Sequence, residues 1–349
     1  MSRRRVTVRA GVLSLRADLR VLGVLAIAGA AILAAFTVHV GRGEFPIAPP
    51  DVLAALVGAG DRATSFIVLE LRVPRALTAV LAGAALGIAG AIFQDVARNP
   101  LVAPDIIGIS TGASLAAVAL IVLGDADGAL SVPLAAFGGA LATGVVLYAL
   151  AWRGGVHGYR LVLVGIGVAA LLHAGVLYVL ARGRIFEVAE AYVWLVGSLN
   201  GRGWGHVWPL AATLALLGPT ALALGRSLAT LQLGDEVART LGLRCERVRL
   251  ALLLVAIVLT GVAVAAAGPI AFVAFIAPHI ARRVGGSPAP SAVLPVAAAA
   301  GALLLLASDL AGRLLFSPTE IAVGVVTSII AAPYFLYLLH RANRIGATG

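Results

Sequence analysis

Leu231–Arg249 reads LQLGDEVARTLGLRCERVR, and the stretch that follows it, Leu250–Ala267, reads LALLLVAIVLTGVAVAAA. The second stretch carries no charge. As the main part of a span near residues 248–267 it has the roughly 20 residues an α-helix needs to cross a hydrocarbon core of about 30 Å. Runs of the same kind recur along the chain between short polar breaks. They place further spans near 19–40, 74–95, 105–124, 129–151, 160–181, 204–225, 269–284, 290–312 and 320–340. Hydrocarbon offers no partner to backbone N–H and C=O groups, so such runs are expected as helices. They are continuous rather than alternating, which argues against a β-barrel.

Composition agrees. Of 349 residues 61% are hydrophobic and 12% charged, with a mean hydropathy of +1.03, whereas a soluble chain carries about a quarter charged residues. The 41 glycines fit close helix approach in a membrane, where small side chains replace the hydrophobic drive. The fold expected is an all-α polytopic membrane protein with about ten transmembrane helices. Residues 1–18 form a short basic tail with Arg3, Arg4, Arg5, Arg9 and Arg16. Residues 19–340 form one transmembrane domain, and 341–349 a second tail. The first apolar run exceeds a signal-peptide core of about 7–15 residues and reads as an uncleaved anchor. Asp51–Gly60 reads as a short surface helix.

The formal charge of +10 does not point to nucleic acid. All 26 basic residues are Arg, and they fall in short segments between spans. With ten spans and the N-terminus inside, 18 of the 26 arginines lie on the inner side and 8 on the outer, the direction of the positive-inside rule. Both termini are thus expected in the cytoplasm, at a cell (inner) membrane. A single cysteine, Cys245, leaves no internal disulfide or cysteine-based metal cluster, and is read as inert. The six histidines show no metal-ligand spacing, and His173, alone in mid-span, is read as packed. Neither a P-loop nor a catalytic constellation is visible, so the chain is not expected to be an enzyme or to hydrolyse ATP.

Leu231–Arg249 is the longest charged stretch on the expected inner side, within a loop spanning 226–249. Asp235–Leu241 reads as a short helix with Asp235 and Glu236 in its first turn, where they complement the helix dipole. Gly242 stands at the position favouring a left-handed stop. Spacing alone leaves a protein-docking surface and a solvated loop equally open.

Several motifs then line up. LRVPR (Leu71–Arg75), Gly83 to Gly90, and Asn99-Pro100-Leu101-Val102-Ala103-Pro104 with Gly108 and Gly112-Ala113 come first. GDEVARTLG (Gly234–Gly242), GPIAFVAFIAPHIAR (Gly268–Arg282) and Ser308–Leu339 follow. In order and spacing these resemble the permease subunits of iron-chelate and vitamin B12 ABC importers, the FecCD/BtuC-like permeases. Ala271 and Ala274 stand where that family often has Gly, and Ala322 where it usually has Pro.

The resemblance implies a type II ABC importer permease fold, working as a homodimer or paralogue heterodimer with the path between two permease subunits. Two cytoplasmic P-loop ATPases would supply ATP and Mg chemistry, and an extracytoplasmic binding protein would deliver cargo; the chain itself would carry no cofactor. The cargo implied first is a ferric siderophore, with cobalamin or haem as alternatives. A secondary transporter, the reading of another class, needs mid-membrane carboxylates, and only Asp309 comes near. The resemblance assigns ATPase coupling to Gly234, Asp235, Glu236, Ala238, Leu241 and Gly242, with Ala238 and Leu241 as packing contacts. It assigns binding-protein docking to Arg72, Arg75 and Arg313, for which snorkelling to headgroups is the alternative.

The remaining motif residues read as packing or gating. Gly83/Gly87 and Gly108/Gly112 are spaced four apart, each pair on one helix face. Asn99-Pro100 and Pro104 make a rigid turn. Gly268-Pro269 and Pro278-His279 interrupt a helical region, and broken helices often border transport paths, though plain turn-making is an equal reading. Asp309 lies four residues before Arg313 on one helix face, so that local pair is the favoured account of its charge.

Overall fold

The computed structural model describes residues 5–10, 13–43, 45–124, 130–315 and 319–346. The N-terminal segment expected as a tail forms an antiparallel hairpin, β1 (Arg5–Ala10) with β2 (Leu13–Asp18), in which Arg5 pairs with Asp18. Arg3 and Arg4 lie outside the described residues. Asp18 then accepts from the Arg20 N–H and caps α1 (Leu19–Gly41).

Among the described residues seven helices are long and apolar enough to cross a membrane. They are α1, α4 (Val73–Ala97), α6 (Ser131–Ala151), α7 (Gly158–Arg182), α9 (Trp204–Gln232), α11 (Cys245–Ala267) and α13 (Pro290–Leu314). The three other expected spans are shorter. α5 (Ile109–Leu123) has 15 residues and α12 (Val273–Gly285) has 13, while α14 (Val323–Gly346) is apolar over Val323–Tyr337. At about 1.5 Å per residue, α5 and α12 reach only about 20 Å. Non-helical backbone completes them, at residues 99–108 before α5 and 268–272 before α12. Val102, Ala103, Ile107 and Ile270 are buried there, and irregular backbone at membrane depth is tolerated only when protein covers it. Among the described residues seven helices of spanning length are thus joined by three shorter ones, two of them completed by buried turns.

Between α1 and α4 the chain makes α2 (Pro49–Leu56), which overlaps the expected surface helix but starts two residues earlier and ends four earlier, then α3 (Arg62–Phe66) and a π-helical segment, Ile67–Arg72. Residues 185–195 form α8 (Ile185–Leu195), whose Glu187 carboxylate accepts from the Arg184 N–H at its start. The C-terminal tail expected from 341 is instead the end of α14 as far as Gly346.

α4 is the central helix, buried over nearly its whole length and packed on α9, α11, α12 and α13. Its small residues permit this. A Cβ added at Gly83, Gly87 or Gly90 would collide with the carbonyl oxygens of Gly301, Ala297 and Ala274 respectively, so the i, i+4, i+7 face of α4 meets two helices at backbone contact. The Gly108/Gly112 pair does not act as one face. Gly108, at φ +90°, is the left-handed N-cap of α5, with Ala169 of α7 beside it. Gly112 is pressed against Thr143 of α6.

Candidate functional sites on the two faces and at the helix breaks

Downstream of α9 a short helix, α10 (Asp235–Thr240), stands between Gly234 (φ +108°) and Gly242 (φ +81°). Only glycine takes such angles without strain, so the expected stop at Gly242 is present. Asp235 is an anchor. Its two carboxylate oxygens accept from Arg249 Nη2 at 2.9 and 3.0 Å, and Oδ1 also accepts from Arg98 Nη2. Arg98 is the left-handed cap of α4 and donates to the Leu231 carbonyl at 2.7 Å, while Arg249 lies in the first turns of α11 and also pairs with Glu246. α10 is thereby tied to the ends of α4, α9 and α11. Burial pushes the Asp235 carboxyl up, but hydrogen bonds and charge from Arg249, then Arg98, outweigh it and hold it below its ordinary 3.8. A carboxyl depressed in the fold contributes stability above its unfolded pKa and loses it as pH falls through the folded one. The tether therefore holds at all physiological pH.

The faces of α10 correct one expectation. Ala238 is fully buried against the chain itself, and its carbonyl accepts from the Leu243 N–H, so it seats the helix rather than meeting a partner. Val237 (46% exposed) and Leu241 (65% exposed) point away, with Glu236 also exposed. Beside α10, Arg282 of α12 donates to Asp95 at 2.7 Å and to the Gln94 amide oxygen, joining α12 to the same end of α4.

On the opposite face the charged residues form one network. Asp309 is 1% exposed and accepts from both Arg75 Nε and Nη2 at 2.9 Å, while His39 Nε2 lies 2.6 Å away. Its partners come from α4 and α1, so the expected local pairing with Arg313 is not what forms. Arg75 continues to Glu320 at 3.0 Å, and Arg313 approaches Glu320 and the His39 carbonyl. Arg72 donates to the Val40 and Phe45 carbonyls at 2.8 and 2.6 Å. Neither Arg72 nor Arg75 is a freely snorkelling side chain: 6% and 9% exposed, both are held by the chain's own acceptors. With Arg202, Arg313 and Glu320 they border a cavity of about 390 Å³. The sequence reading gave neither His39 nor Glu320 a place in this network, since their partners lie far away in sequence.

The two helix breaks meet each other. Asp105, in the turn before α5, accepts from the Ser110 hydroxyl at 2.6 Å and the Phe272 N–H at 3.3 Å. Phe272 is the N-cap of α12 at φ +68°, a costly angle for a bulky residue. Asn99 caps its own turn by accepting from the Leu101 N–H, and the Pro104 carbonyl accepts from the Ile109 N–H. Gly268 (φ +74°) brings Pro269 against Gly197. Pro278 lies within α12, and His279 Nδ1, 2.8 Å from the Phe275 carbonyl, donates to it; the His279 ring also packs on Phe275, which in turn meets Phe335 of α14 edge-on. Among the described residues no group of three or more His, Cys, Asp or Glu side chains could hold a metal.

Residues 25–341 match the family described as the FecCD transport family. The ferric enterobactin transport system permease protein FepG of Escherichia coli K12 is 42% identical over 302 residues, covering 86% of this chain and 91% of that protein. The achromobactin transport system permease protein CbrC of Dickeya dadantii 3937 is 40% identical over 332 residues, 95% of each. A solved inward-facing structure of a metal-chelate type ABC transporter superposes with a TM-score of 0.83 at 24% identity, covering 92% of this chain and 99% of that one. With the apolar helices around α4 and these matches across nearly the whole length, the chain belongs to the FecCD transport family of multi-pass membrane permeases.

Proposed function

We propose that this chain is half of the membrane path of an ATP-driven importer for a ferric siderophore or a similar iron chelate. The observation that carries the reading is α10. It presents exposed Val237 and Leu241 on a helix whose Asp235 is bolted to Arg98 and Arg249. A protein gripping that apolar face would move the ends of α4 and α11 together, turning closure of an ATPase pair into rigid-body motion of the spans. In this reading both termini are cytoplasmic, α10 faces the cytoplasm, and a second permease copy or paralogue completes the path. The breaks at Gly268-Pro269 and Pro278-His279 lie along it. The basic recess of Arg72, Arg75 and Arg313 faces an extracytoplasmic binding protein, whose acidic side chains would set register more than affinity. The cargo assignment rests on relatives that carry ferric enterobactin and achromobactin.

The test is co-reconstitution with the ATPase. Val237→Glu with Leu241→Glu is expected to abolish ATPase co-purification and ATP-dependent uptake of labelled ferric siderophore while the chain stays folded. Full ATPase binding by that variant refutes the coupling role. Uptake of cobalamin or haem, but of no ferric chelate, refutes the cargo. Separately, Arg72→Glu with Arg313→Glu is expected to weaken binding-protein association and leave the ATPase bound.

A further inference from the structure

A crevice of about 350 Å³ opens between α4, α5, α6, α7 and α11, sharing no lining residue with the charged cavity or with α10. Its walls include Phe93, Gly144, Leu161 and Ile257, and the Tyr148 hydroxyl is the only polar side-chain group on them. Its volume falls in the range of about 300–1,000 Å³ typical of ligand sites. Water finds a single polar side-chain partner there, short of the about two to four an ordered water uses, so the crevice suits an apolar occupant. Its rim is accessible from the side of the bundle: Val145 is 67% exposed, Leu254 48% and Leu250 37%. Gly144 keeps the inside open, since a Cβ there would press on the Ile257 side chain at 2.7 Å.

Three arginines, Arg153, Arg160 and Arg247, lie within about one helical turn, along the chain, of residues that line the crevice. Arg247 lies three residues before Leu250 and seven before Leu254, hence on the same face of α11, one turn nearer the α10 side. Arg160 Nη1 reaches the carbonyl of Ala151, the last residue of α6, at 3.4 Å, one turn beyond Tyr148. Arg153 follows directly, and Arg153 and Arg247 are exposed. The nearby acid, Glu246, is spent on Arg249 and on the Val156 N–H. Tyr148 and Trp152 pair at 5.6 Å between the apolar and basic parts, as aromatic residues do where tails meet headgroups.

We infer that this crevice is a binding site for one anionic phospholipid of the leaflet on the α10 side, its acyl chain between α6 and α11 and its phosphate among Arg153, Arg160 and Arg247. The apolar walls select a hydrocarbon chain, and the three cations select the negative headgroup. Basic pockets between spans are a known means of holding acidic lipids. The inference stands apart from the importer reading, because it needs only the membrane and neither ATPase nor cargo.

Native mass spectrometry of the full chain, released from detergent containing phosphatidylglycerol or phosphatidylcholine of identical acyl chains, tests it. One retained phosphatidylglycerol is expected, favoured over phosphatidylcholine by about tenfold or more. Val145→Trp, which caps the crevice from its exposed rim, is expected to cut that retention by about the same factor. The triple variant Arg153→Gln, Arg160→Gln, Arg247→Gln is expected to keep one lipid but lose the headgroup preference. Protection of the buried Cys245 from thiol reagents checks the fold of each variant. Should Val145→Trp expose Cys245, Leu254→Trp plugs the opposite wall in its place. Equal retention of both lipids by the wild type overturns the headgroup assignment. Undiminished phosphatidylglycerol on a folded, plugged variant, or an uncharged lipid retained instead, overturns the site.

Discussion

Replacing Asp309 by Asn separates the long-range charge network from a local helix pair. Asp309 is 1% exposed and receives two Arg75 N–H bonds at 2.9 Å, with His39 at 2.6 Å. Removing one partner of a buried ion pair costs about 3–5 kcal/mol because the other charge is left uncompensated. Two features reduce that here. Glu320, 36% exposed, still holds Arg75 at 3.0 Å, and the substituted amide oxygen still accepts one bond. A loss of about 2–3 kcal/mol remains, each charge-assisted bond being worth about 1.5–3. At about 2–4 °C per kcal/mol for large domains this lowers Tm by about 4–12 °C. The chain supplies its own reporter: Cys245, its one cysteine, is 3% exposed, so a thiol-reactive dye added during a thermal ramp in detergent reads unfolding. Arg75→Gln should match Asp309→Asn, and the double variant should cost less than the two together by about 1 kcal/mol or more. Arg313→Gln should cost less than either. Arg313→Gln equal to Asp309→Asn, with Arg75→Gln neutral, would refute the network and restore the i, i+4 pair.

Three further outcomes are expected. Asp235→Asn frees α10 from Arg249 and Arg98, so the amides of Ala238, Leu241 and Leu243 should exchange with deuterium at least about tenfold faster, with the core of α4 unchanged; uniform exchange speaks against the tether. Gly87→Leu should fail to give a folded chain, because its side chain would drive into the Ala297 carbonyl, whereas Gly138→Leu, open around its Cα, should fold and label as the wild type does. Asp105→Ala removes the acceptor that ties the turn before α5 to Phe272; protease or exchange protection at 268–272 should fall while α10 stays protected, and intact protection removes Asp105 from that role.

The apolar runs made the membrane bundle legible, because uncharged stretches of spanning length have few other uses. Span count was less legible, since α5 and α12 cross by combining short helices with buried turns, and hydropathy does not distinguish a buried turn from a helix. α8 escaped notice because IFEVAEAYVWL is 11 residues long and its Glu187 and Glu190 read as loop. The stop at Gly242 was readable, being a local backbone requirement. The inward direction of Ala238 was not, because in a helix of six residues the buried face is chosen by what lies above it. Asp309 was paired with the wrong arginine for the same reason. The i, i+4 rule sees one helix, and Arg75 is 234 residues away in sequence. Gly83 and Gly87 could be read as a packing face, but Gly108 could not be separated from Gly112 without knowing where α5 begins.

Photo-crosslinking from single α10 positions in the assembled transporter tests the coupling role most directly. A benzophenone side chain at residue 237 or 241 should join the chain to a cytoplasmic P-loop ATPase, and one at residue 238 should give only internal adducts. ATPase adducts absent from 237 and 241, or as strong from 238, would contradict the account.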